Sequence, residues 1–142
     1  WLDQKACYPA AGADEEYGFY AERCHPIRGD RTNYFRSLVA GAQPGPGYRL
    51  LALLARAGIV PAVWTTNFDA LATKAATAAG LTVVDVGEDS AGRLAQGRPA
   101  AGLLHVALHG DYRYDALRNT PEELREQNAA LARALAAALA DT

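Results

Sequence analysis

The chain has 142 residues, is half apolar, and carries a formal charge of −2 with no local cluster of Lys or Arg. This is enough for one ordinary domain with a real core, and it excludes the electrostatic footprint of a nucleic-acid or anionic-membrane binder. No apolar run reaches the roughly 20 residues of a membrane-spanning helix, and "WLDQKACYPAAG" lacks the basic start and apolar core of a secretory leader. The sequence therefore reads as a soluble cytoplasmic protein whose partners are small molecules, other domains of a parent protein, or a second copy.

The chain holds no Met and opens on Trp1, which points to a segment of a longer polypeptide. Cys7 and Cys24 form no CxxC pair; they are too few for a zinc module or a disulfide framework and read as reduced structural thiols.

Residues 13–24, "ADEEYGFYAERC", put acids first and Arg23 last, as the helix dipole favours. After the break at "HPIRGD", Asp30 is placed to cap a second helix in "RTNYFRSLVAG", which Gly41 stops. "AQPGPG" reads as a loop; its glycines follow a helix rather than a strand, so it is not a phosphate loop. "YRLLALLARAG" is a third helix ending at Gly58.

From Ile59 the pattern changes. "IVPAVWTT" is a short apolar run of the kind found in a sheet covered on both faces. "DALATKAATAAG" follows as a helix closed by Gly80, then "LTVVDVG" as a strand, "EDSAGRLAQG" as a short helix or loop, and "GLLHVALHG" as a third strand.

Returns of this kind pass over a face of the sheet and make the strands parallel. The predicted class is α/β, a Rossmann-like doubly wound parallel sheet with three central strands, helices on both faces and a helical segment at the N-terminal side. In "NTPEEL", Thr120 is placed as the cap, Pro121 as the first helical residue and Glu123 as the return partner of a capping box. One helix of about five turns should run from there to about Ala140.

In parallel sheets ligands bind beyond the carboxyl ends of the strands. Two of those ends carry polar groups: Asn67 to Asp69 after the first strand, and "HGD", His109 to Asp111, after the third. Parallel strands would put both on one edge, so that an amide, carboxylates and an imidazole converge. Each has an everyday alternative: Asp69 capping its helix, Asn67 taking a left-handed turn, His109 simply ending a strand. His105 lies inside the third strand and reads as a satisfied core or helix-facing residue, and His25 as a loop residue. "DYRYDALRNT" either lines a pocket with Tyr and Arg or is solvated surface.

Together, "WTTNFD" and "LHGDYRYDALRNTPEEL" resemble the sirtuin-like NAD-consuming domains of bacterial proteins, many of them antiviral effectors. Sirtuins proper carry T-Q-N-I-D and a strand-terminal H-G at the matching places. The resemblance runs from "YGFYAERCHPIRGDRTNYF" to the last helix and is densest at residues 63–71 and 106–124. It implies that residues 1–142 belong to one NAD-binding domain, with a helical segment at 1–58 and a Rossmann-like core and C-terminal helix at 59–142.

The resemblance also implies roles. Asn67 and His109 would be catalytic, the amide holding the nicotinamide-side ribose or the attacking water and the imidazole lying near the ribose hydroxyls. Asp69 would contact the carboxamide, Phe68 would wall the nicotinamide pocket, Gly110 would let the backbone approach, and Thr65 and Thr66 would complete the NAD contacts. Cleaving the nicotinamide–ribose bond builds positive charge on the sugar, which asks for fixed hydrogen-bonding groups and a base near neutrality.

Three departures shape the expectation. Thr66 stands where deacylases carry Gln, the four-cysteine zinc ribbon is missing so that no zinc is expected, and no glycine-rich turn precedes "TTNFD". The expected function is NAD hydrolysis to ADP-ribose and nicotinamide, in an antiphage setting. The alternatives are a sirtuin-type protein deacylase, a non-catalytic module sensing NAD or ADP-ribose, and an α/β scaffold whose polar turns only end strands and cap helices.

Overall fold

A computed structural model describes residues 8–13, 16–96, 99, 102–111, 113, 118, 120–125 and 128–140. Its centre is a sheet of three short strands, β1 (Ala62–Thr65), β2 (Thr82–Val86) and β3 (Gly102–Ala107), in the order β1-β3-β2 and all parallel. The third strand inserts between the first two, so the winding reverses direction within three strands. The fold is α/β, a Rossmann-like arrangement with helices on both faces.

Alternation along β3 divides the core into two layers. Leu103 points to one face, where it meets Ala55 of α3 (Pro46–Arg56), Ala76 of α4 (Leu71–Ala78), Val63 and Val83. Leu104 and Val106 point to the other, against Val86, Trp64, Ala91 and Leu94 of a 3₁₀ segment (Glu88–Gln96), and Leu131 of α6 (Ala129–Ala140). Leu103, Val106 and Val86 are almost wholly excluded from solvent, each such burial being worth about 1.5–3 kcal/mol against exposure. A continuous apolar run in β3 is what two covered faces demand.

The first strand is shorter than the predicted run at 59–66. Ile59 and Val60 spend their N–H groups on the carbonyl of Leu54, closing α3, and pairing begins only where the Pro61 carbonyl accepts the Leu104 N–H at 3.1 Å. Helices α3 and α4 run out into Gly58 and Gly80, both in the left-handed region, as read from sequence. Pro46 and Gly47, assigned to a loop, instead form the first turn of α3, where a missing proline N–H costs nothing.

The N-terminal side contributes α1 (Glu16–Cys24) and α2 (Arg28–Val39). Asp30 is not the cap of α2: the helix starts three residues earlier, with Ile27 in the capping position and Asp30 in the first turn. Cys24 is a free thiol, as read, but it is exposed at the end of α1 rather than part of the packing, and Cys7 lies outside the described residues.

Arg31, 4% exposed, donates to the carbonyls of His25 and Pro26 and pairs with Glu123 at 2.6 Å. It thereby ties α2 to α5 (Pro121–Arg125).

The capping box is present. The Thr120 N–H donates to Glu123 Oε2 and the Glu123 N–H to Thr120 Oγ1, each at 3.2 Å. The single long helix expected after it is two helices. Asn128 starts the second, its Oδ1 accepting from the N–H groups of Ala130 and Leu131 at 2.9 and 3.3 Å, because Asn satisfies free helix-start amides better from outside the helix than within it. The end near Ala140 is as expected.

Candidate functional site

The carboxyl ends of β1 and β3 adjoin. Thr65 is paired with Ala107, and the Leu108 N–H donates to the Thr65 carbonyl at 2.8 Å. The turns carrying Asn67 to Asp69 and His109 to Asp111 therefore leave one edge of the sheet side by side.

In the first turn the Asn67 N–H donates to Thr65 Oγ1 at 2.9 Å, and the amide side chain and Thr66 are exposed. Asp69 Oδ1 accepts the Leu71 N–H at 3.0 Å, so this carboxylate does serve the start of α4. The capping position itself is Ala70, held at φ 53°, ψ 18°; the left-handed residue of the turn is Ala70, not Asn67.

An alanine there is strained by about 1–2 kcal/mol, and Ala70 is 3% exposed against Phe35, Val39 and Phe68. Phe68 faces α2, its ring 5.0 Å from that of Phe35 in an edge-on contact. Tyr48 of α3 joins the turn from outside: its hydroxyl donates to Asp69 Oδ2 at 3.3 Å and lies 3.5 Å from Asn67 Nδ2.

In the second turn Gly110 is buried at φ 83°, a backbone that side chains disfavour. His109 is half-buried, and no described residue hydrogen-bonds its ring. Burial first, and then the positive charge of Arg118, hold its pKa below the ordinary imidazole value, so the ring is a neutral base at pH 7.

Arg118 is fixed on three sides. Its N–H donates to the His109 carbonyl at 3.0 Å, its guanidinium pairs with Glu88 through Nε (2.8 Å) and Nη2, and Nη1 donates to the Glu123 carbonyl at 2.6 Å. A cavity of about 290 Å³ opens beside His109, near the lower end of the roughly 300–1,000 Å³ typical of ligand pockets. Glu88, His109, Arg118 and Asn128 form its polar side, and Leu108 with leucines and alanines of α6 its apolar side.

Behind this edge lies a charge network. His105, buried in β3, shares its Nδ1 with Asp85 of β2 at 2.9 Å, and Asp85 also accepts from Thr73 of α4 at 3.0 Å. Arg113 reaches Asp85 at 3.3–3.4 Å and clamps Asp111 with Nε and Nη2.

Burial would raise the pKa of Asp85, but the His105 hydrogen bond, the Arg113 and His105 charges and Thr73 outweigh it and leave the value below the usual carboxylate range. Asp111 is thus a clamp for its own loop rather than a free carboxylate in the crevice. A second cavity of about 230 Å³, lined by Asp85, Ser90, Arg93, Gly110 and Asp111 among others, lies between the ends of β2 and β3.

Thr65, Thr66, Asn67, Phe68, Asp69, His109 and Gly110 therefore share the carboxyl edge of β1 and β3. Neither of the two cavities just described is lined by the residues of the first turn. Of "DYRYDALRNT", Arg113 and Arg118 are engaged in ion pairs, while Tyr112, residues 114–117 and Asn119 lie outside the described residues.

His105 is the satisfied core residue it was read as, held by Asp85, and Arg118 of "DYRYDALRNT" does line a cavity, whereas sequence reasoning passed over Tyr48, Glu88 and Asp85. Two of these had a signal: Glu88 follows a strand end, and a carboxylate inside the apolar "TVVDV" requires a buried partner. Among the described residues no group of three or more His, Cys, Asp or Glu is placed to hold a metal ion, and no helix is long and apolar enough to cross a membrane. No protein-family model matches the chain, and no curated protein is significantly similar to it.

Proposed function

We propose that this chain is the nicotinamide- and ribose-binding part of a sirtuin-like NAD-consuming domain, and that in the full-length polypeptide it hydrolyses NAD to ADP-ribose and nicotinamide, in bacterial antiphage defence. The observation that supports this best is the adjacency of the two polar turns. The turn after β1 carries an exposed amide and a buttressed carboxylate, and the turn after β3, which leaves the same edge of the sheet, carries a neutral imidazole and a left-handed glycine.

The donor set fits the nicotinamide and ribose half of the ligand. Asn67 and Asp69 offer hydrogen-bonding groups to a sugar hydroxyl or water and to a carboxamide. His109 offers an uncharged nitrogen that takes a proton at neutral pH. Gly110, buried in its turn, lines the second cavity with backbone that carries no side chain. NAD supplies the scissile bond; the chain's own residues orient it and remove the proton from water. No turn among the described residues is a glycine-rich phosphate cradle, so the grip on the diphosphate has to come from groups outside them.

Hydrolysis is preferred to acyl transfer because Thr66 is short and exposed where deacylases use Gln. Product analysis tests this directly: NAD incubated with the full-length polypeptide, with and without an acetyl-lysine peptide, is resolved by chromatography. ADP-ribose and nicotinamide in equal amounts, unaffected by peptide, are expected. Acetylated ADP-ribose would establish the deacylase instead, and intact NAD recovered from a tight complex after long incubation would establish the sensor.

A further inference from the structure

We infer that Tyr48 is a positioning residue that sets the hydrogen-bond polarity of the Asn67–Asp69 turn, holding the acceptors Asn67 Oδ1 and the Asp69 carboxylate towards the ligand; its significance for nicotinamide rests on the function proposed above. Tyr48 sits on α3, whose first turn is fixed by Pro46 and whose packing against α4 and β3 makes it a rigid platform. Asn67 and Asp69 sit on a turn and gain their orientation from it.

A phenol has one proton to donate and lone pairs to accept with. The Tyr48 proton goes to Asp69 Oδ2 at 3.3 Å, so the same oxygen can only accept from Asn67, whose Nδ2 stands 3.5 Å away. Were the amide flipped, Asn67 Oδ1 would face an oxygen with no proton left, two acceptors in contact. The amide is therefore held with Nδ2 towards Tyr48 and Oδ1 outward.

Asp69 is fixed by the same hydroxyl on Oδ2 and by the Leu71 N–H on Oδ1. Its carboxylate can only accept further. The turn thus presents Asn67 Oδ1 and the spare lone pairs of Asp69, a surface that selects ligands bearing N–H and O–H donors. A primary carboxamide and sugar hydroxyls satisfy it; a carboxylate in place of the carboxamide faces Asn67 Oδ1 and the Asp69 carboxylate, acceptors both, and is disfavoured. Nicotinamide is accordingly favoured over nicotinate, and Tyr48 is the origin of the preference.

The test uses the ¹⁵N-labelled 142-residue chain in solution. In the unliganded protein the Asn67 side-chain NH₂ should show a nuclear Overhauser contact to the Tyr48 ring protons beside the hydroxyl, and Tyr48→Phe should speed solvent exchange of that NH₂ several-fold while leaving the backbone spectrum in place. Absence of the contact in the wild-type chain overturns the inference even if the variant fails to fold.

Nicotinamide and nicotinate are then titrated separately into both proteins. The wild type should prefer nicotinamide, and the preference should fall about five- to tenfold in Tyr48→Phe, the scale of one lost hydrogen bond. An unchanged preference contradicts the inference. Should the Asn67–Tyr48 contact be present while nicotinamide shifts neither Asn67 nor Asp69, the polarity assignment stands and the NAD reading fails.

Discussion

Arg113→Gln isolates what holds the His109 loop against the sheet. Among the described residues Arg113 is the cation that pairs with both Asp85 and Asp111, and the substitution takes that charge from both carboxylates, of which Asp111 is 4% exposed. Breaking a fully buried pair from one side costs about 3–5 kcal/mol; with the Arg113 and Asp85 side chains 28% and 20% exposed, solvent screening reduces this to about 2–3 kcal/mol. At a urea slope of about 2 kcal/mol per molar, the midpoint should fall by about 1–1.5 M at pH 7.

The pH dependence carries a definite sign. The folded-state pKa of Asp85 is lowered, so its contribution is present above about pH 4, the unfolded value, and disappears as the pH falls through the folded one. In the variant Asp85 keeps His105 and Thr73 but loses the Arg113 charge while burial still opposes its ionisation, so its folded pKa lies higher than in the wild type. The gap between wild type and variant should therefore narrow as the pH is lowered from 7 to 4. Paired urea titrations at several pH values measure it; a midpoint unchanged at pH 7, or a gap that widens in acid, would refute the reasoning.

Other changes probe other parts of the fold. Gly110→Ala forces an alanine into φ 83° and should cost about 1–2 kcal/mol in denaturant melts, with nicotinamide release reduced as well. Leu103→Ala, at a position with no solvent exposure in the central strand, should cost about 2–5 kcal/mol. Thr120→Ala removes half of a reciprocal cap and should cost about 1 kcal/mol, read as a lower thermal midpoint. Because the pKa of His109 is lowered, the acid limb of NAD turnover should lie below the ordinary imidazole value of about 6.5, with activity held at full strength down to that point; a limb above it would contradict the assigned environment.

The sheet was legible because its information is local and periodic. Apolar runs bounded by Gly58, Gly80 and "HGD" carry both strand identity and direction, and parallel pairing then forces the two polar turns onto one edge. The capping box of Thr120 and Glu123 was legible for the same reason, since its spacing is itself the mechanism.

What sequence left out depends on contacts between distant positions. Tyr48 meets Asn67 and Asp69 only because α3 packs on α4, and no spacing announces that. Arg31 and Glu123 pair across 92 residues. Asn128 interrupts a strongly helical stretch because its side chain bonds both the new helix start and the Glu88 carbonyl, a tertiary contact that local propensity does not encode. The left-handed strain fell on Ala70 rather than on Asn67 because Ala70 is the residue wedged between the two phenylalanines and Val39.

The central claim is that the two strand ends serve one NAD site. It is tested most directly by the rate of nicotinamide release from NAD by the full-length polypeptide and its Asn67→Ala and His109→Ala variants, each checked for unchanged folding. Each substitution should slow release by about 10²-fold or more, with the fold intact. Two folded variants that release nicotinamide at the wild-type rate would contradict it.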